Sequence, residues 1–280
     1  MSWRIATRHV SSYRYESTVF ASYNEARMTP VASHRQVVLE NHVSIRPTTP
    51  PLRYTDYWMT TVYAFDVHEP HDTLVVTGSS LVETAAAEEL NGAISWDDVL
   101  AFDVQDRYSE LLVPTTYAPR DPVLTDLARD FGHASTPARA VADVSTWVRE
   151  AMRYEPGTTH VSTSALEAWR QGSGVCQDFA HLTLVLLREL GIPARYTSGY
   201  LHPQADARLG ETVKGASHAW VEAWLGSWQP VDPTNGEPVG ERHVTVARGR
   251  DYADVAPLHG LYHGGALEGL AVTVELTRVA

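Results

Sequence analysis

Cys176 is the only cysteine in the chain, and its surroundings suit chemistry. It stands where the turn Ser173-Gly174-Val175 runs into a strongly apolar stretch that ends at Gly191 and Pro193. The spacing predicts a helix from about Gly174 to Gly191, with Ser173 and Gly174 as cap residues. Phe179, Leu182, Leu186 and Leu190 form one stripe, while Ala180, Leu184, Val185 and Leu187 cover much of the remaining surface. Such a helix is expected to be buried on most sides. A thiol in its first turn meets the partial positive charge and free N–H groups of the helix N-terminus. Both favour thiolate over thiol, and both can hold an oxyanion.

A nucleophilic cysteine needs a base within hydrogen-bond reach, and the base needs an orienting partner. His218, in the run SHAWVEAWL, is the best base candidate. On a strand, His218, Trp220, Glu222 and Trp224 face one side, and the small apolar residues Ala219, Val221, Ala223 and Leu225 face the other. The first set suits a groove wall better than a packed interior. Trp220, Trp224 and Trp228 are equally readable as core or as substrate-lining. Asp232, in WQPVDPTN, is the expected orienter, with Glu222 as its rival.

Register decides whether Asp232 can reach. A two-residue turn at Gly226-Ser227 sets Val221 opposite Asp232 and leaves the carboxylate on the wrong face. A three-residue loop, Leu225-Gly226-Ser227, pairs Trp224 with Trp228 and Trp220 with Asp232. His218 is then a diagonal neighbour on the same face. Gly226 can supply the left-handed residue such loops carry, so the three-residue loop is predicted.

Around these residues the elements fall into two parts. Val37, Leu39, Val43 and Ile45 alternate with polar positions, Asn41 being the one break, and 54–67 and 73–83 are rich in β-branched and aromatic residues. Residues 1–85 therefore read as a β-rich N-terminal domain, an antiparallel sheet or sandwich. Residues 86–103 are more acidic and less regular, and read as a linker. Residues 104–280 read as the catalytic domain. It opens with helices at Asp121–Phe131, from Thr136-Pro137, and from Ser164, where Ser164 and Glu167 form a capping box. After Pro193 strands are expected at Ala194–Leu201, Ser217–Leu225, Trp228–Asp232, His243–Ala247 and Leu270–Val279. Helices followed by strands indicate an α+β fold.

Composition narrows the class. The chain has 280 residues, 44% of them hydrophobic and 20% charged, which is ordinary for a globular protein with a real core. A net charge of −12 disfavours nucleic acid. No stretch approaches a membrane span and no apolar leader is visible. One cysteine cannot form an intrachain disulfide. A soluble cytoplasmic protein is expected. Thirteen histidines invite a metal reading. Neither His68-x-x-His71, in a turn, nor His259-x-x-x-His263, in a Gly-rich loop, brings a clear third ligand, so surface histidines and no metal site are expected. His181 lies well round the helix from Cys176 and is assigned to packing or hydrogen bonding.

GVCQDFAHL…LGIPARYTSGYL, SHAWVEAWL and WQPVDPTNG together resemble the bacterial transglutaminase-like superfamily. YRYESTVFASYNEARMTP and FDVHEPHDTLVVT resemble the β-rich N-terminal domain that often precedes such cores, and GRDYADVAPLHGLYHGG is similar to a segment that follows the aspartate motif. The resemblance implies a papain-like core, its Cys-bearing helix packed on an antiparallel sheet, with Cys176 as nucleophile, His218 as base and Asp232 as orienter. It implies no cofactor, a peptide or protein substrate and, by analogy, a setting beside peptide-ligase-like proteins. The expected reaction is acyl transfer through a thioester, with hydrolysis of a peptide or isopeptide favoured over amine crosslinking. A non-catalytic binding protein on the same fold is a third reading, disfavoured by the intact Cys, His and Asp. One oxyanion donor would be the Cys176 N–H. The second is not identified by the sequence, Gln171 and Trp169 being candidates. Asp178 is expected behind the site or as a charge partner of the helix terminus, and 202–216 as a lid.

Overall fold

A computed structural model describes residues 2–90 and 94–280. The N-terminal region runs β1 (Trp3–Ala26), β2 (Gln36–Arg46), β3 (Leu52–Thr55), β4 (Thr61–Val67) and β5 (His71–Thr84). Two short helices, α1 (Trp96–Val99) and α2 (Phe102–Arg107), lead into α3 (Pro122–Phe131), α4 (Pro137–Ala151), β6 (Arg153–Tyr154), α5 (Ala165–Gln171), β7 (Ser173–Gly174) and α6 (Cys176–Glu189). The chain then forms β8 (Ala194–Leu201), β9 (Thr212–Trp224), β10 (Trp228–Val231), β11 (His243–Gly249), α7 (Tyr252–Val255), β12 (Leu258–Gly264) and β13 (Leu267–Arg278). The fold is α+β, as expected.

β1 joins the two parts. Its first half pairs antiparallel with both β5 and β13, and its second half with β4 and β12. β13 continues to β9, β9 to β8 and β8 to β11, so one sheet crosses the molecule. Residues 258–278 thus extend the N-terminal sheet, although they come from the far end of the chain. β1 serves two hydrophobic cores. Trp3 and Ile5 pack into the larger one with α6, while Tyr15 and Val19 pack into a smaller one with Phe65 and Leu74.

α6 is the hub of the larger core. Every side chain from Gln177 to Arg188 is buried, among β8, β9, α3, α4 and α5. Burying a Leu or Phe contributes on the order of 1.5–3 kcal/mol, so this helix is held by packing rather than by propensity. Asp121, Thr136 and Ser164 cap α3, α4 and α5 as their types require.

Several expectations need correction. The N-cap of α6 is Val175, not Ser173 or Gly174, which form β7. In β2, Val37 and Leu39 are exposed at 55% and 44%. A register shift between Val38 and Glu40 moves the alternation by one residue, so the inward side chains are Val38 and, further on, Ile45. The run 54–67 is two strands, split by a turn in which Asp56 accepts from the Trp58 and Thr60 N–H groups. The expected linker, 86–103, contains α1 with its own capping box at Ser95, and Val99 is buried in the core. Its residues 91–93 lie outside the described residues. His259 and His263 belong to β12 rather than to a loop, and they and His68 are exposed, whereas His71 is buried and bonds the Glu69 carbonyl at 2.7 Å. The lid expectation also changes. Residues 212–216 belong to β9, and the loop before them is tied down by Gly210 N–H to the Arg278 carbonyl and by Arg278 to the Ala207 carbonyl.

Candidate active site

The loop between β9 and β10 sets the geometry. Trp228 pairs with Trp224 and Val231 with Val221, which is the three-residue connection. Gly226 takes φ 86, the left-handed region that glycine enters without strain. The next position after Val231 therefore delivers Asp232 to the His218 face. His218 Nε2 and Asp232 Oδ2 are 2.7 Å apart. The two side chains are buried, at 8% and 1% exposure.

Cys176 is the first residue of α6 and is partly exposed. It lines a cavity of about 300 Å³ with His218, Tyr154, Gln177, Tyr196, Ser198, Ser217 and Tyr252. Behind it, Asp178 Oδ2 accepts from the Val175 N–H at 2.8 Å and from Thr159 Oγ1 at 2.7 Å. That carboxylate ties down the turn entering the helix. It also explains Gly174, since a Cβ there would lie 2.6 Å from Asp178 Oδ2. Burial pushes the Asp178 carboxyl upward against these hydrogen bonds.

A cysteine at the head of a buried helix, facing an imidazole braced by a carboxylate, is the arrangement of a papain-like core. Residues 125–233 match the family model for the transglutaminase-like superfamily, and residues 5–83 match that of the bacterial transglutaminase-like N-terminal region. An uncharacterised protein of Mycobacterium leprae is 48% identical over 99% of this chain and 100% of its own length. The chain belongs to the transglutaminase-like superfamily. A protein-glutamine gamma-glutamyltransferase of Pseudomonas aeruginosa is 31% identical over 61% of this chain, a match covering 27% of that protein. A candidate cysteine protease of Cytophaga hutchinsonii shares the fold, with a TM-score of 0.77 at 23% identity, over 98% of this chain and 90% of that one.

Within this transglutaminase-like core, electrostatics couple the three side chains. Burial opposes the His218 imidazolium, yet hydrogen bonds and charge from Asp232 and Cys176 outweigh it and raise the pKa to about 10. Asp232 moves the opposite way. Its burial favours the neutral acid, but hydrogen bonds from His218, His243 and Asn235 hold it well below the usual carboxylate range. Its Oδ1 accepts from the Thr234 and Asn235 N–H groups at 2.9 and 3.2 Å, and its Oδ2 from Asn235 Nδ2 at 2.8 Å.

His243, which sequence reasoning did not single out, stands on the other side of Asp232. Its Nδ1 accepts from the Gly240 N–H at 3.2 Å, so the neutral ring carries its proton on Nε2. That N–H points at Asp232 Oδ2, 3.5 Å away. Burial keeps this ring neutral by lowering its pKa, against the pull of Asp232. The periodicity of HVTVA marks a strand but not this role. Asn235 was more accessible, because D-P-T-N is an Asx-turn pattern. Ligand-capable atoms of His218, Asp232 and His243 lie within 4.8 Å of one another, the one such buried trio among the described residues that could hold a metal ion. Their mutual hydrogen bonds already account for the cluster.

The remaining expected residues lie elsewhere. Glu222 is buried between Arg248, at 2.9 and 3.1 Å, and Arg195, and these outweigh burial to keep its carboxyl depressed. It is therefore committed away from His218. Trp220 is fully buried with its ring 5.3 Å from His243, so it supports the site from behind rather than lining a groove. Trp224 packs with Tyr108 and Trp228 at the hairpin end. Gln171 bonds the Thr158 carbonyl at 2.9 Å, and Trp169 packs on the core, and neither lines the Cys176 cavity. His181 is buried, accepts from the Tyr252 N–H at 3.2 Å and lies against Tyr117, in a packing role. No helix among the described residues is long and apolar enough to cross a membrane.

Proposed function

We propose that this protein is a cysteine peptidase or amidase acting on a peptide or isopeptide bond. The His218 ring, held between Asp232 and Cys176 at the head of α6, is the observation that carries this reading. The Cys176 thiolate attacks the amide carbonyl, whose π electrons move to oxygen. The Cys176 N–H, a free donor at the helix N-terminus, faces that oxyanion. Tyr196 is the better candidate for the second donor than Gln171 or Trp169. It lines the Cys176 cavity, and burial, then the charge of Cys176, keep its hydroxyl protonated well above the ordinary tyrosine range. As the tetrahedral intermediate collapses, the C–N bond breaks and the His218 imidazolium protonates the departing amine. His218 then takes a proton from water, whose oxygen attacks the thioester; the C–S bond breaks, releasing the acid and restoring the Cys176 thiolate beside the His218 imidazolium.

Water access supports hydrolysis over amine transfer. Tyr154 and Val161 rim the cavity at 56% and 64% exposure, so solvent reaches Cys176. The match to a glutamyltransferase favours the second reading, isopeptide formation with a primary amine. Ammonia release from a glutamine peptide, with and without added amine, separates the two. Release without amine incorporation supports hydrolysis, and incorporation dependent on Cys176 overturns it. The cheaper test is alkylation at pH 6. Cys176 should react with iodoacetamide faster than a free thiol, and His218→Ala should abolish the difference.

A further inference from the structure

The groove does not end at the Cys176 cavity. A second cavity, of about 490 Å³, shares Tyr154, Ser217 and His218 with the first and continues along β9 past Ala216 and Gly215 to Lys214. The side chains on this stretch, Gly215, Ala216 and Ser217, are small and leave the groove open. Lys214, Ala216 and His218 alternate along one strand and so share a face. At about 3.3 Å per residue, Lys214 lies roughly 13 Å from His218 along the strand. Among the described residues, Lys214 is the only cation besides the His218 ring to line the second cavity, and no carboxylate lines it.

The Lys214 ammonium is also without a partner among the described residues. The residue directly across the ladder is Glu275, which would be its natural counter-charge. The Glu275 carboxylate is turned instead to Arg8, at 3.2 Å. Most of the arginines, by contrast, are held by carboxylates, carbonyls or aromatic rings.

We propose that Lys214 is a specificity-determining residue that receives a carboxylate of the substrate two to four residues from the attacked amide. This rests on the reading of Cys176 as nucleophile and names the substrate class for it, an acidic peptide. The carboxylate belongs either to an Asp or Glu side chain or to a chain end, and the charge recognised is the same.

Chloroacetyl peptides test this without a known substrate, because the Cys176 thiolate displaces chloride from each with the same electrophile. Four probes are compared by intact mass: chloroacetyl-Gly-Gly-Glu amide, its Gln counterpart, and chloroacetyl-Gly-Gly-Gly as free acid and as amide. In the wild type, one or both anionic probes should label Cys176 about threefold or more faster than their neutral partners, a typical size for a partly exposed charge pair. The Glu pair and the chain-end pair say which carboxylate is read. Added salt should shrink the preference, Lys214→Arg should keep it, and Lys214→Glu should invert it. Equal rates for both pairs in the wild type, or a preference unaltered in Lys214→Glu, overturns the subsite and leaves the nucleophile intact. If the neutral probes label Cys176 no faster than glutathione, the nucleophile reading fails and the subsite with it.

Discussion

The two sides of the His218 ring are built on opposite principles. On the Asp232 side everything is closed. The carboxylate is buried and collects donors from His218, His243, Asn235 and Thr234. On the Cys176 side the ring opens onto a groove with few fixed polar contacts. A carboxylate so thoroughly satisfied cannot rotate or protonate easily, so the ring is aimed from behind. The open side is left free for substrate. The difference teaches that precision here comes from the part that substrate does not touch.

Substitutions should expose this asymmetry. Cys176→Ala should remove activity entirely, with the fold retained by circular dichroism. Asp232→Asn should lower kcat on the order of 10³- to 10⁴-fold with KM little changed, because the ring loses both its aim and the charge that stabilises the imidazolium. If KM rises and kcat holds, the closed side is not the aiming device. His243→Ala should cost roughly tenfold in kcat, with partial recovery in His243→Gln, which keeps an N–H donor for Asp232. A purely structural role for His243 would lower the melting temperature in both variants without separating their kcat values.

The pH response carries a sign for each partner. The His218 pKa is raised to about 10, so its contribution to stability is fully present below the unfolded value of about 6.5 and is lost as pH rises through 10. Asp232 is depressed, so its contribution is present above about 4 and is lost as pH falls through its folded pKa. The melting-temperature advantage of the wild type over His218→Gln should therefore be largest between about pH 4 and 6.5 and decline towards pH 10. The smallest effect is expected at the loop. Gly226→Ala should cost about 1 kcal/mol of stability by urea unfolding, because alanine is strained at positive φ. A much larger loss of activity than of stability would show that the loop also tunes the Asp232 register.

Legibility in the sequence followed the physics of each element. α6 was plain, because a buried helix between two glycines has an unmistakable pattern. The Asp232 register was recoverable because strand alternation leaves only two outcomes and Gly226 favours one. β1 was hidden for the converse reason. Its buried positions include Thr7, His9 and Ser11, where periodicity looks for apolar side chains. The polarity of His9 and Ser11 is satisfied only in the folded protein, by Tyr200 on β8 and by each other. β12 was masked by its glycines. His243 was invisible because its role depends on Gly240 and Asp232, which only tertiary structure brings to it. Trp220 and Glu222 shared the predicted face of β9, but sequence could not show that Arg195, Arg248 and His243, from neighbouring strands of the same sheet, occupy that face beyond His218.

β13 has a further consequence for how the molecule comes apart. It bonds to β1 on one edge and to β9 on the other, so the strand carrying His218 is laced to the first strand of the chain through residues near its other end. Contacts this distant in sequence close late in folding. They also deny the two halves separate melting behaviour. A calorimetric trace should show one cooperative peak, and a cut made just before Leu267 should destabilise both halves together instead of leaving a trimmed but folded core.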